Sequence, residues 1–255
     1  MSKNKRLGII QSRGLGDILI ALPIARHYHD LGWEIYWPIA DVFIPNVAKH
    51  VPWIRWIPLT VDPGAYYYEE PLKRLRNFKC DEILPLYNAL TGHPEFSSRP
   101  EFQMMKFDQY KYSVASVPFI KKWSLSDCVT RDSVAEQALV DLVGTPKPYA
   151  VVHLEGSDFQ AEFNYDTIPE DWQVIEIKQH MTPSVFNWIP ILEQAESIIC
   201  VDSVISNMVD QMAIGSDRYF IPRSHIQLTP VLGQDWTIIE PSDEVKKRTT
   251  IFGTT

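Results

Sequence analysis

The sequence predicts an α/β protein made of two Rossmann-like parallel-sheet halves that face each other across a cleft. Three observations predict it. Short apolar runs alternate with stretches whose apolar residues recur at helical spacing, which is the pattern of strand–helix–strand units. The alternation restarts after GTPKP (Gly144–Pro148), where a glycine and two prolines end a helix. The chain has 255 residues and is 45% hydrophobic. That is long enough to bury two cores of about 100–150 residues each. The boundary is therefore placed between residues 146 and 147.

The elements follow in order. Leu7–Gln11 (LGIIQ) is an apolar run suited to a buried strand. Asp17–Leu31 carries Ile18, Leu22, Ala25 and Tyr28 at helical spacing, and Gly32 stands where a helix stop is expected. Trp33–Trp37 reads as the next strand, Asp41–His50 as a helix, and Trp53–Leu59 as a strand. Leu72–Phe78 then reads as a helix and Glu82–Leu86 as a strand. Residues 87–130 show no clear pattern, and Asn88–Met105 reads as a long irregular loop broken by Gly92, Pro94 and Pro100. Ser133–Val143 is an amphipathic helix, with Val134, Ala138 and Val143 among its apolar positions.

In the second half, Tyr149–Leu154 is a strand, Glu155–Asp158 a turn, and Asp171–Ile177 contains a strand. Val185–Ala195 is a helix with Pro190 as a kink. Ser197–Val201 (SIICV) is a strand ending in Asp202, Ser206–Ala213 a helix, and Arg218–Ile221 a strand.

Composition narrows the function classes. No segment reaches the ~18 uninterrupted apolar residues of a membrane helix. The start, MSKNKRLGIIQSRGLG, lacks the apolar core of a secretion signal, so a cytoplasmic protein is expected. Cys80, Cys128 and Cys200 are scattered and the seven histidines show no ligand spacing, so reduced thiols and no metal site are expected. Residues 1–146 carry 17 Lys+Arg and 16 Asp+Glu, whereas residues 147–255 carry 7 and 16. The acidic second half is a poor surface for nucleic acid. The basic clusters of the first half, Lys73, Arg74, Arg76 and Lys79, then Lys121 and Lys122, read as solvated helix faces.

Three strand-to-helix edges carry chemistry. In Ser12–Asp17 (SRGLGD), Gly14 and Gly16 let the backbone turn sharply and approach a ligand, with Ser12 and Arg13 beside them. The helix that follows points its free N–H groups at the same place. Asp17 has two readings: a helix cap or first-turn residue worth about 1 kcal/mol, or a base that takes a proton from an acceptor hydroxyl. The turn is not GxGxxG and no acid stands about 20 residues on, so a dinucleotide site is not supported. In Ala195–Asn207, Asp202, Ser203, Ser206 and Asn207 offer polar groups and helix N–H donors suited to a diphosphate, or simply a helix cap. In His153–Asp158, the residues His153, Glu155 and Ser157 can line a pocket, or His153 can be a satisfied core histidine. Glu176, in the strand of Asp171–Ile177, is counted with the donor-side residues.

Taken together, these motifs resemble glycosyltransferase family 9, the heptosyltransferase-like group with the GT-B fold, here in a compact version. The resemblance rests on GLGDILIALPIA in the first half and AESIICVDSVISNM in the second, with SVFNWIPILEQAES leading into the latter; residues 87–130 are unmatched. It implies a nucleotide-diphospho-sugar as co-substrate, bound mainly by the second half through Asp202, Ser203 and Ser206, and no other cofactor. It also implies that Asp17 deprotonates the acceptor, that the anomeric carbon is inverted, and that no metal is needed. The chain departs from the family at Val204, where a glycine is usual, and at Asn207, where a histidine is usual.

The acceptor stays open between a glycolipid or saccharide and DNA with hydroxymethylated bases, the substrate of compact bacteriophage enzymes. The basic clusters and the aromatics Trp53, Trp56, Tyr66–Tyr68 and Trp123 suit either. Two further classes remain: a non-catalytic nucleotide-sugar-binding module, which would not depend on Asp17, and a GT-B-type nucleotide-sugar epimerase, which would admit water instead of an acceptor.

Overall fold

The apolar runs become parallel strands and the periodic stretches become helices. The computed structural model describes residues 5–60, 67–87, 105–157, 159–215, 217–223 and 229–239. The chain divides into two units, Met1–Thr130 and Arg131–Thr255.

The first unit contains β1 (Arg6–Ile10), α1 (Leu15–Asp30), β2 (Glu34–Ala40), α2 (Ile44–Val47), β3 (Ile54–Leu59), α3 (Glu69–Asn77), β4 (Glu82–Pro85) and α4 (Phe107–Val114). Its four strands are parallel in the order β3-β2-β1-β4. Central β1 buries Leu7, Ile9 and Ile10 completely, as expected of a strand covered on both faces. Edge strand β3 is less covered: Ile54, Ile57 and Leu59 are buried, while Arg55 and Pro58 are exposed. From β1 the chain builds outward to β2 and β3, then returns to place β4 on the other side of β1. The order therefore reverses between β1 and β4, which is where ligands bind in open α/β sheets.

Two expectations for the elements of this unit are corrected. The single helix over Asp41–His50 is a 3-10 turn, Asp41–Phe43, running into the short α2. Pro45 stands at the start of α2, where its missing N–H is harmless; one turn further into a helix it would break the ladder. The unpatterned region holds α4 and 3-10 turns at Phe119–Trp123 and Leu125–Cys128. Residues 88–104, most of the expected irregular loop, and Tyr66 lie outside the described residues.

Helix α4 is tied to α1 by Tyr112 Oη, which donates to the Ile20 carbonyl at 2.9 Å, and by Tyr28 Oη, which donates to the Ala115 carbonyl at 2.8 Å. Lys122, expected on a solvated face, is fully buried and sits 2.7 Å from the equally buried Asp108 of α4. The indole N–H groups of Trp53 and Trp56 donate to the carbonyls of Cys128 and Val51, so both rings are committed to the fold.

The second unit contains α5 (Ser133–Val143), β5 (Tyr149–His153), β6 (Gln173–Glu176), α6 (Ile189–Glu193), β7 (Ser197–Val201), α7 (Val204–Met212), β8 (Asp217–Ile221) and β9 (Thr237–Ile238). Its five strands are parallel in the order β6-β5-β7-β8-β9, so the reversal falls between β5 and β7. The division between the units lies ahead of GTPKP because α5 packs against Val185–Trp188 and α6. Arg131 adds to this by bonding both Glu136 of α5 (2.9 Å) and Glu193 of α6 (3.0 Å).

The buried face of α5 differs from the expected one. Val134 is 79% exposed and Ala138 is exposed, whereas Leu139 and Glu136 are buried. Pro190 does not kink a long helix; it stands in the first turn of α6, just after a 3-10 turn at Val185–Trp188. Among the described residues no helix is long and apolar enough to cross a membrane.

Candidate functional site

In the first unit, β1 ends at Ile10, and Gln11–Gly14 carries the chain over the carboxyl edge into α1. Gly14 is the N-cap, with φ 76° and ψ 99°, a conformation glycine adopts without strain. Gly16 and Asp17 are the second and third residues of α1, so the cap belongs to Gly14 and Asp17 is a first-turn residue. Its carboxylate folds back over the turn: a Cβ on Gly14 would lie 2.7 Å from Asp17 Oδ2. Asp17 Oδ1 is 3.0 Å from Lys111 Nζ; the Asp17 side chain is 36% exposed and that of Lys111 is 3% exposed.

The Lys111 ammonium also donates to Gln11 Oε1 (2.6 Å) and to the Leu86 carbonyl (3.1 Å), and Gln11 Nε2 donates to the Arg13 carbonyl (2.8 Å). The backbone N–H groups of Ser12 and Arg13 both donate to Tyr87 Oη at 2.8 Å. Burial pushes the Tyr87 phenol well above its usual range. The Arg13 guanidinium lies 4.9 Å from the ring centre of Tyr67, which packs edge-on against Tyr87. The acid is thus held by Lys111 of α4, and the turn that carries it is tied to Tyr87, just after β4.

In the second unit, His153 ends β5 and Ser203 follows β7, so they flank the reversal point. His153 Nδ1 and Ser203 Oγ are hydrogen-bonded at 3.0 Å. Burial lowers the His153 imidazole from 6.5 to about 4, so the ring is neutral near pH 7. Ser203 is the N-cap of α7 in a reciprocal box: its side chain accepts from the Ser206 N–H, and Ser206 Oγ accepts from the Ser203 N–H at 2.9 Å. Asn207 is buried, with its amide donating to the Ser203 carbonyl at 2.8 Å. Ser206 and Asn207 therefore build the helix start. The N–H groups of Val204 and Ile205, in the first turn, are those such a helix leaves open.

Arg223, two residues beyond β8, donates to Ser157 Oγ (3.3 Å) and lies 4.0 Å from Asp202 Oδ2. Glu155 is exposed at the same edge, and Asp158 lies outside the described residues. Glu176 ends the edge strand β6. Its carboxylate accepts from Tyr165 Oη (2.8 Å) and lies 3.7 Å from Lys178 Nζ, in an open groove beside Leu142 and His180. Burial, together with that hydrogen bond, pushes the Tyr165 phenol up to about 12.

No protein-family model matches the chain, and no curated protein matches it in sequence. Solved structures do. A family 9 glycosyl transferase from Veillonella parvula DSM 2008 superposes with a TM-score of 0.60 at 13% identity, covering 100% of this chain and 93% of that one. The E. coli heptosyltransferase WaaC, solved with ADP-2-deoxy-2-fluoro heptose, gives 0.55 at 12% identity, covering 96% and 98%. The iron-containing dodecameric glycosyltransferase TibC from enterotoxigenic E. coli H10407 gives 0.52 at 12% identity, covering 91% and 62%. The fold is heptosyltransferase-like. At these identities the likeness is one of architecture: two parallel-sheet units in succession, as the motifs led one to expect.

On this heptosyltransferase-like fold, four groups at the two edges belong to no sequence motif: Gln11, Tyr87, Lys111 and Arg223. Gln11 adjoins SRGLGD and follows directly from the end of β1. Arg223 follows β8 as Asp202 follows β7, so strand-end position was a usable signal for it. Tyr87 and Lys111 had none, because what selects them is contact with a turn far away in sequence.

Proposed function

We propose that this protein is a glycosyltransferase that moves a sugar from a nucleotide-diphospho-sugar to an acceptor hydroxyl, with inversion and without a metal ion. The first unit supplies the base. The acceptor O–H gives its proton to Asp17 as its oxygen forms the new bond to the anomeric carbon, and the bond from that carbon to the diphosphate breaks on the opposite face. The diphosphate leaves with the bonding electron pair.

The second unit binds the donor. The N–H groups of Val204 and Ile205 and the Arg223 guanidinium are the donors that meet the developing charge on the diphosphate. Neutral His153 orients Ser203 without adding charge. What carries the reading is that both strand-order reversals are furnished for this chemistry: a carboxylate in the first turn of α1 beside β1, and a serine-capped helix start with an arginine near it after β7. The solved E. coli heptosyltransferase of similar fold holds an ADP-heptose analogue, which supports a nucleotide-sugar donor here.

The test is a melting panel with ADP-, UDP- and GDP-sugars, followed by an assay of nucleoside diphosphate release. One donor at 100 times its Kd should stabilise the protein by about 2.7 kcal/mol, and EDTA should leave turnover unchanged. Asp17→Asn should keep that stabilisation and lose about 10²–10⁴-fold in kcat. No stabilisation by any donor overturns the donor reading, and full turnover in Asp17→Asn returns Asp17 to a first-turn residue.

A further inference from the structure

We infer that Lys111 is a positioning residue that pins the Asp17 carboxylate through one oxygen and leaves the other oxygen facing the acceptor. The inference rests on the reading of Asp17 as the base. An ammonium has three N–H donors and no acceptor. Those of Lys111 are all engaged, by Gln11 Oε1 at 2.6 Å, the Leu86 carbonyl at 3.1 Å and Asp17 Oδ1 at 3.0 Å. No proton of this group is left for a ligand, and at 3% exposure its tip is out of reach of solvent. Among the described residues its only charged contact is the acid, so what it contributes is orientation.

The other half of the carboxylate lies against the turn. Oδ2 lies over Gly14, in space a side chain would occupy, and it has no protein partner among the described residues. An oxygen held this way, on a side chain one-third exposed, is the one that can receive a proton. The clamp also locks the loop, because Gln11 bonds Lys111 at one end of its amide and the Arg13 carbonyl at the other. Lys111 in turn is placed by α4, which Tyr112 and the Lys122–Asp108 pair anchor. A charge pair of this kind, three hydrogen bonds deep, holds a catalytic group within the tolerance that proton transfer needs.

The test uses the full chain with Lys111→Ala, read in two arms. In the crystal structure of the variant, the Asp17 carboxylate should move by more than about 0.5 Å from its place over Gly14; a carboxylate that stays put overturns the inference whatever the activity. In the kinetic arm, ADP release from ADP-heptose is followed as a function of donor. The variant should lose about 10–100-fold in kcat with donor KM within about twofold. Propylammonium, which refills the space of the lost side chain, should restore part of that loss, and tetramethylammonium, which has no N–H, should not. Unchanged kcat, or equal rescue by both amines, overturns the inference. If the parent enzyme releases no ADP and no other donor stabilises it, the proposed function fails, and the crystallographic arm still decides whether Lys111 holds Asp17.

Discussion

The two sheet edges use the same topological device and load it differently. At the reversal point of the first unit, the group presented is a carboxylate, and the groups that hold it come from far along the chain: the bond from Lys111 to Gln11 spans 100 residues. At the reversal point of the second unit, the helix start is built almost wholly by its own neighbours. Ser203, Ser206 and Asn207 satisfy one another within four residues, and the distant partner of the Ser203 hydroxyl, His153, is kept neutral. The difference follows from what each edge must present. A carboxylate at fixed geometry needs an opposing charge, and a buried ammonium needs several acceptors, which a short local segment does not supply. A patch of N–H donors needs only a well-formed helix start, which local sequence does supply.

The largest effect that would break this comparison lies away from both edges. If the first edge depends on α4, then Asp108→Asn, which leaves Lys122 buried beside a neutral amide, should lower unfolding free energy by about 3–5 kcal/mol. A urea titration reads it. Asp108→Leu combined with Lys122→Met should recover most of the loss, because neither charge then remains buried. A single variant as stable as the parent would mean that this pair does not hold α4.

The next effect concerns the second edge and is a pH dependence. Between pH 6.5 and about 4 the unfolded chain binds a proton that the native His153 ring refuses. Native stability is therefore highest above pH 6.5, falls as pH drops toward 4, and loses no more to this group below that. The total is of the order of 3 kcal/mol. His153→Gln should flatten this limb, measured as the difference in unfolding midpoint between pH 7 and pH 4.5. An identical slope in parent and variant would show that His153 does not set it.

The smallest effect sharpens the local character of the second edge. Ser203→Ala removes the cap of α7 and the bond to His153, and should lower stability by about 1 kcal/mol. In the same melts it should weaken donor-induced stabilisation only modestly, because the N–H groups of Val204 and Ile205 remain. A collapse of donor binding would instead make the Ser203 hydroxyl a direct ligand.

These contrasts track what was legible beforehand. β1, β5 and β7 read as strands because a strand covered on both faces must be apolar at nearly every position, and LGII, YAVVH and SIICV are. The turn into α1 was marked by its glycines and the start of α7 by its serines, since those residue types answer to local backbone geometry. Helix α4 was not legible. Its inward face is Asp108, Lys111 and Tyr112, and two charged residues erase the apolar period by which helices are recognised. Helix α5 was legible, but its inward face was not: Leu139 and Glu136, the acid that Arg131 pairs with, are buried, while Val134 faces water.

The sequence alone determined most of the strands and placed Asp17 and Ser203 just beyond the ends of two of them. These follow from alternation, breakers and caps, which act over a few residues. The tertiary structure alone decided what holds the acid, because Lys111, Gln11 and Tyr87 acquire their roles by meeting across the sheet edge. A buried charge is tolerated only where its partners converge on it, and that convergence belongs to the folded chain rather than to any segment of it.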